Sequence, residues 1–189
     1  MVTLRLAVSG LMMAGIGLSQ ISCATLEKDE CAVANWFELG RADGERGRGV
    51  KREARYREDC AKFGLPIDGE SYRSGWALGI RRFCTPENGF ELGLKGRFYS
   101  DSCPANLEAQ FEGPYDLGRS INNLDEKLET TQIKIDEINL QLDAEGLPRE
   151  LRRSLRLERR ALREDRREYR FALDEAAEEA RILGFEVFL

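Results

Sequence analysis

Apolar residues in the C-terminal third of the chain recur in alternating steps of four and three: Leu117, Ile121, Leu124, Leu128, Thr131, Ile135, Ile138 and Leu142. On a helix this spacing holds one stripe against one partner, so it predicts a heptad seam from about Tyr115. The segment from Ala144 to Pro148 breaks the pattern with a glycine and a proline. A second helix is predicted from Pro148 to Leu183. Leu151, Leu155, Leu162, Tyr169, Leu173, Ala176, Ala180 and Leu183 lie along its face, interrupted at Glu158 and at Asp165 or Arg166. Two such helices joined by a short turn form an antiparallel hairpin, and the first, about 30 residues, would be roughly 45 Å long.

Upstream of Tyr115 an aromatic residue is followed three or four positions later by glycine. Trp36 leads to Gly40, Gly44 and Gly47, Tyr72 to Gly75 and Gly79, Phe90 to Gly93 and Gly96, and Tyr115 to Gly118. Positions three and four apart share a helix face, so a ring beside a glycine notch lets a neighbouring helix come close. Glycine inside a helix costs about 0.5–1 kcal/mol relative to alanine, so this many notches imply close packing, breaks in the helices, or both. The functional counterpart is a ligand groove on a candidate contact face made of Trp36, Gly40, Asp43, Gly44, Tyr72, Gly75, Trp76 and Gly79.

Local signals place the elements. Asn35 is a good cap for a helix running to about Arg46. A second helix, about 50–63, ends at Gly64 with Pro66 beyond it, and a third runs from near Gly69 to Phe83 or Cys84. Thr85-Pro86-Glu87 has the form of a helix start, although the glycines after it allow either a short helix or an irregular loop. A short turn is expected from Pro104 to Phe111, with Pro114 preceding the long helix.

The first 22 residues have the form of an export leader. Arg5 precedes an uncharged run from Leu6 to Leu18, too short to span a bilayer but the length of a signal-peptide core. It ends in Gln20-Ile21-Ser22-Cys23, which resembles a bacterial lipobox, with Gln20 in place of the usual leucine. Five cysteines leave one unpaired, and lipidation of Cys23 leaves four. By resemblance to Gram-negative lipoproteins, Ala24 after the cysteine implies sorting to the outer membrane. Ordinary cleavage near Ala24, giving a soluble periplasmic protein, is the alternative.

Four cysteines in an exported chain imply two disulfides, with three pairings open. A hairpin of the first two helices would set Cys31 beside Cys60, leaving Cys84 for Cys103. A zinc site made by all four thiolates would ordinarily show closely spaced cysteine pairs, and this chain has none.

Charge narrows the function classes. The 189 residues are 42% hydrophobic and 33% charged, carry a net charge of −5 and include no histidine. The commonest general base and metal ligand is absent, and with it every histidine-dependent triad. Between Asp116 and Glu145 stand eight acids and three bases, and between Arg149 and Arg170 ten arginines and five acids. An acidic and a basic helix are expected to pair within one chain, their charges flanking the seam. Pairing between chains and an arginine face for anionic lipid are the alternatives. Glu150, Glu158, Glu164 and Glu168 are expected to pair locally with arginines. Gly40 to Gly49 lacks a phosphate-loop ending, and Asp43-Gly44 lacks the alternating acids of a calcium loop. Asp59, Asp68 and Asp101 are candidate partners for a carboxylate pair.

Trp36-x3-Gly40-x2-Asp43-Gly44-x2-Gly47, then Cys60 with Gly64, Pro66 and Asp68, form the first part of a longer ordered motif. Tyr72-x2-Gly75-x3-Gly79-x4-Cys84-Thr85-Pro86-Glu87-Asn88-Gly89-Phe90 follows. Gly93, Gly96, Tyr99, Cys103-Pro104 and Tyr115-x2-Gly118 complete it. Over about residues 31–120 this series resembles an uncharacterised group of proteobacterial envelope lipoproteins (domain of unknown function 2799). The resemblance implies an envelope location and carries no activity.

The expected fold is mainly α: a small disulfide-stapled helical module followed by a long antiparallel coiled-coil hairpin. The expected division is 1–22 leader, 23–30 lipidated tether, 31–114 module, 115–184 hairpin and 185–189 tail. The expected function is a non-catalytic outer-membrane lipoprotein, a binding or structural module. The alternative is an envelope enzyme or ligand carrier acting on glycan or peptide through the glycine–aromatic face. Expected partners are the membrane through Cys23, an envelope protein and a second copy through the coiled coil. No nucleic acid, cofactor or metal is expected.

Overall fold

A computed structural model describes residues 26–187; the expected leader and the expected lipid attachment at Cys23 lie outside the described residues. Seven helices make up the described chain: α1 (Lys28–Val33), α2 (Trp36–Glu45), α3 (Arg52–Ala61), α4 (Gly69–Phe83), α5 (Pro86–Leu94), α6 (Ala105–Leu142) and α7 (Arg149–Ile182). Two N-caps match the sequence signals, Asn35 accepting from the Glu38 amide and Thr85 from that of Asn88, and Asp68 caps α4 by accepting from Ser71. Residues 86–94 are therefore a helix, and Pro86 opens it without losing an intrahelical bond. No described helix is long and apolar enough to cross a membrane.

The module is built twice. In each half a helix with a Gly-x3-Gly notch ends at a glycine in the left-handed region, Gly47 (φ 68°) or Gly96 (φ 62°). A connection then carries a tyrosine, a cysteine four residues later and a second tyrosine twelve beyond that: Tyr56, Cys60, Tyr72 and Tyr99, Cys103, Tyr115. The second tyrosine lies on a return helix that packs into the notch, α4 on α2 and α6 on α5. A disulfide closes each half, Cys31–Cys60 with Cα atoms 5.7 Å apart and Cys84–Cys103 with 5.8 Å. The expected pairing is therefore right, but the helix pairing behind it is not. The partner of α2 is α4 rather than α3, because only α4 offers the matching glycines. α3 bridges the pair and brings Cys60 to Cys31 on α1.

Three expected boundaries move. The expected tether of 23–30 overlaps a helix, because α1 starts at Lys28 and buries Cys31. The module does not end at 114, because α6 runs unbroken through Pro114 for 38 residues, about 57 Å. Proline deletes one backbone hydrogen bond there. Phe111 and Tyr115 are buried on either side, and Gly118 sits against the Phe90 carbonyl, so packing holds the helix across the defect. The expected tail folds back instead: Phe185 stacks on Phe90 with centroids 4.4 Å apart, and Val187 joins the same cluster.

The hairpin forms as the period predicts along α6. On α7 the seam is different. Leu151 and Leu183 are exposed, and the chain faces α6 with Arg152, Leu155, Arg159, Leu162, Arg166, Tyr169, Leu173, Ala176 and Ala180. Every seventh residue of the distal half is a half-buried arginine. Arg152 donates to the Leu142 carbonyl at the C-terminus of α6, Arg159 to Asn139 Oδ1 and Arg166 to Gln132 Oε1. Long aliphatic stems cover the seam while the guanidinium tips reach its rim.

Candidate functional site

The eight residues of the expected contact face do converge, in the interior. A Cβ on Gly40 would collide with the Tyr72 carbonyl oxygen, and one on Gly75 with that of Phe37. Gly44 and Gly79 abut Trp76 and Arg41 backbone in the same way. Backbones this close leave no groove between α2 and α4, so the face is consumed by packing. Trp36 and Trp76 remain half-exposed at its edges. Trp76 donates its indole N–H to the Arg48 carbonyl at 2.7 Å, and Trp36 tilts on Tyr56 with centroids 6.3 Å apart.

The one charged residue of that face is the chemical centre of the module. Asp43 is fully buried. Its Oδ2 accepts from Tyr56 Oη at 2.8 Å and from Tyr72 Oη at 2.9 Å; its Oδ1 accepts from Arg48 at 2.8 Å. Arg52 lies 3.5 Å from Oδ2, donates to Tyr56 Oη at 2.8 Å and rests over the Tyr56 ring. Burial is the main force raising the pKa of Tyr72, and the adjacent carboxylate raises it further. Burial also raises that of Tyr56, with Asp43 adding and Arg52 opposing. The Arg52 guanidinium is held above its ordinary pKa by Tyr56 and Asp43 despite its partial burial. Both carboxylate oxygens are occupied by donors of the protein itself, so the group is an anchor joining α2, α3 and α4 rather than a free base.

The other carboxylates do not gather. Asp59 pairs with Lys62, Asp68 caps α4, and Asp101 is an exposed loop residue at φ 50°. Glu53, nearly buried, is held by Arg73 at 2.8 Å and by Arg57. The four thiols of the zinc alternative are used up in disulfides, and among the described residues no group of three metal-ligating side chains forms a cluster.

Sequence reasoning singled out Asp43 and missed its partners Arg48, Arg52 and Tyr56. The repeated tyrosine–cysteine–tyrosine spacing was the signal that could have found Tyr56. The second half shows what the anchor replaces. Leu92 stands where Asp43 does, one residue before the second notch glycine, and Tyr115 Oη donates instead to the Arg97 carbonyl.

These features define an all-helical, disulfide-stapled domain of two glycine-notched helix pairs with a polar anchor in the first. Residues 35–120 match the family model described as Protein of unknown function (DUF2799), which supports a domain of unknown function over this part of the chain. No curated protein and no solved structure matches.

Proposed function

We propose that the chain is a non-catalytic structural or binding module of the bacterial cell envelope, held at the outer membrane by lipid on Cys23. The observation that carries this reading is the use of all four module cysteines in two disulfides. Such bonds persist in oxidising compartments and compensate for a small core. The leader-like N-terminus and the lipobox-like Cys23 supply the route there. The packed glycine–aromatic face and the saturated Asp43 favour a scaffold over a glycan or peptide enzyme, since neither leaves a reacting group free.

Lipidation is tested in cells. Globomycin should accumulate the uncleaved precursor, and Cys23→Ser should release the protein from the membrane fraction. An unchanged precursor level under globomycin sinks the anchor.

A further inference from the structure

The hairpin carries a face that its own fold leaves without a partner. From Arg152, α7 repeats Arg-Arg-x-x-Arg-x-x three times: Arg152, Arg153, Arg156; Arg159, Arg160, Arg163; Arg166, Arg167, Arg170. The first arginine of each triplet lies in the seam; the other two are exposed to one side of it. The expected local pairing does not form. Among the described residues, none of the ten arginines from Arg149 to Arg170 makes an ion pair.

Across the groove on that side, α6 is acidic. Glu129 borders it at the level of Arg167 and Arg170, and Asp125 a turn further on beside Asp174 of α7, with Leu128 and Phe171 supplying apolar lining. Asp136 and Asp143 continue the stripe from Glu129 at seven-residue intervals, exposed and without ion pairs. The flanking charges expected to bind α6 to α7 therefore lie on one common face. Exposed apolar residues flank it on both helices, Ile133 and Leu140 on α6 and Leu157 and Phe171 on α7, with Glu164 between the last two.

We propose that this face docks a second copy of the same chain, related by a two-fold axis parallel to the hairpin. That axis lays α6 of each protomer over α7 of its partner, so acids meet arginines twice in one isologous interface. The levels agree. Arg159 reaches Asn139 and Arg166 reaches Gln132, so each step along α7 matches one step back along α6. Asp143 is then level with the gap between Arg153 and Arg156, Asp136 with that between Arg160 and Arg163, and Glu129 with that between Arg167 and Arg170. A two-fold across the helices would stack acid on acid and arginine on arginine. Two helix widths along a 22-residue stripe offer about 650 Å² per partner, near the size of a standard interface. The axis also keeps both disulfide modules at the same end, where both anchors could enter one membrane.

Sedimentation equilibrium of the full-length protein in density-matched detergent should give a dimer that weakens as salt rises. Arg160→Glu, Arg163→Glu, Arg167→Glu and Arg170→Glu in one chain should weaken self-association by roughly tenfold or more, as should Glu129→Lys with Asp136→Lys in another. An equimolar mixture of the two variants should recover a heterodimer, which misfolded chains could not do. A wild-type monomer at every concentration overturns the proposal, as do variants that dimerise unchanged or a mixture that recovers nothing. A monomer that binds phosphatidylglycerol vesicles salt-sensitively overturns it in favour of a lipid surface.

Discussion

Asp43 and Leu92 hold equivalent places in two halves built to one plan, and the difference between them decides the chemistry of the module. A leucine asks only for apolar neighbours. A buried carboxylate demands donors, and removing one partner of such a pair costs about 3–5 kcal/mol. The first half meets the demand with Tyr56, Tyr72, Arg48 and Arg52. The two phenols then resist ionisation in the fold but lose their protons near pH 10 once unfolded. The folded state thus binds more protons than the unfolded state above that point. Stability is full below about pH 10 and falls as pH rises further, by about 1.4 kcal/mol per unit for each such tyrosine. Urea midpoints measured from about pH 8 to 11 should fall only at the alkaline end, and Tyr72→Phe should flatten the fall. A midpoint level across that range would contradict the role given to these hydroxyls.

At the scale of elements, glycine decides which helices meet. A Cβ at Gly79 would strike the Arg41 carbonyl oxygen, a backbone atom that cannot step aside without moving α2. Gly79→Ala should therefore destabilise by about 1–3 kcal/mol or more, although alanine is the better helix former. Gly49 has no neighbour within 4 Å of such a methyl and no left-handed backbone, so Gly49→Ala should stay within about 0.5 kcal/mol of the parent. Chemical denaturation of the two variants separates a notch from a loop glycine; equal effects would mean that the notch is not what brings α2 and α4 together. On α7 the same scale explains why three seam positions escaped the pattern. An arginine counts as polar in a hydropathy pattern, yet its stem packs and its tip reaches a neutral amide or carbonyl on α6.

Across the whole molecule, α6 joins what the sequence divides. Its N-terminal part fills the notch of α5, its C-terminal part carries α7, and Phe185 returns to Phe90, so module and hairpin share one core. The Cys84–Cys103 bridge lies in the neighbouring cluster with Ile80, Tyr99, Phe111 and Tyr115. The Cys84–Cys103 bridge spans 19 residues and should contribute about 3 kcal/mol by restricting the unfolded chain. Cys84→Ser with Cys103→Ser should lower the denaturation midpoint by a matching amount while keeping helical circular dichroism; an unchanged midpoint would remove the bridge from the account of stability.

Helix type, most caps, the α6 seam and the number of disulfides follow from the chain itself, because each depends on neighbours a few residues apart or on a cysteine count; which cysteines pair stays open there among three arrangements. The partner of α2, the inward direction of the glycine–aromatic face and the donors around Asp43 do not. Tyr56 and Tyr72 lie 13 and 29 residues from that carboxylate, and only a fold that closes α4 onto α2 brings them within hydrogen-bond reach. The charged hairpin divides in the same way. Composition supplies an acidic and a basic helix, but the placement of both charges on one side of the seam is set by how α7 turns its arginines toward α6.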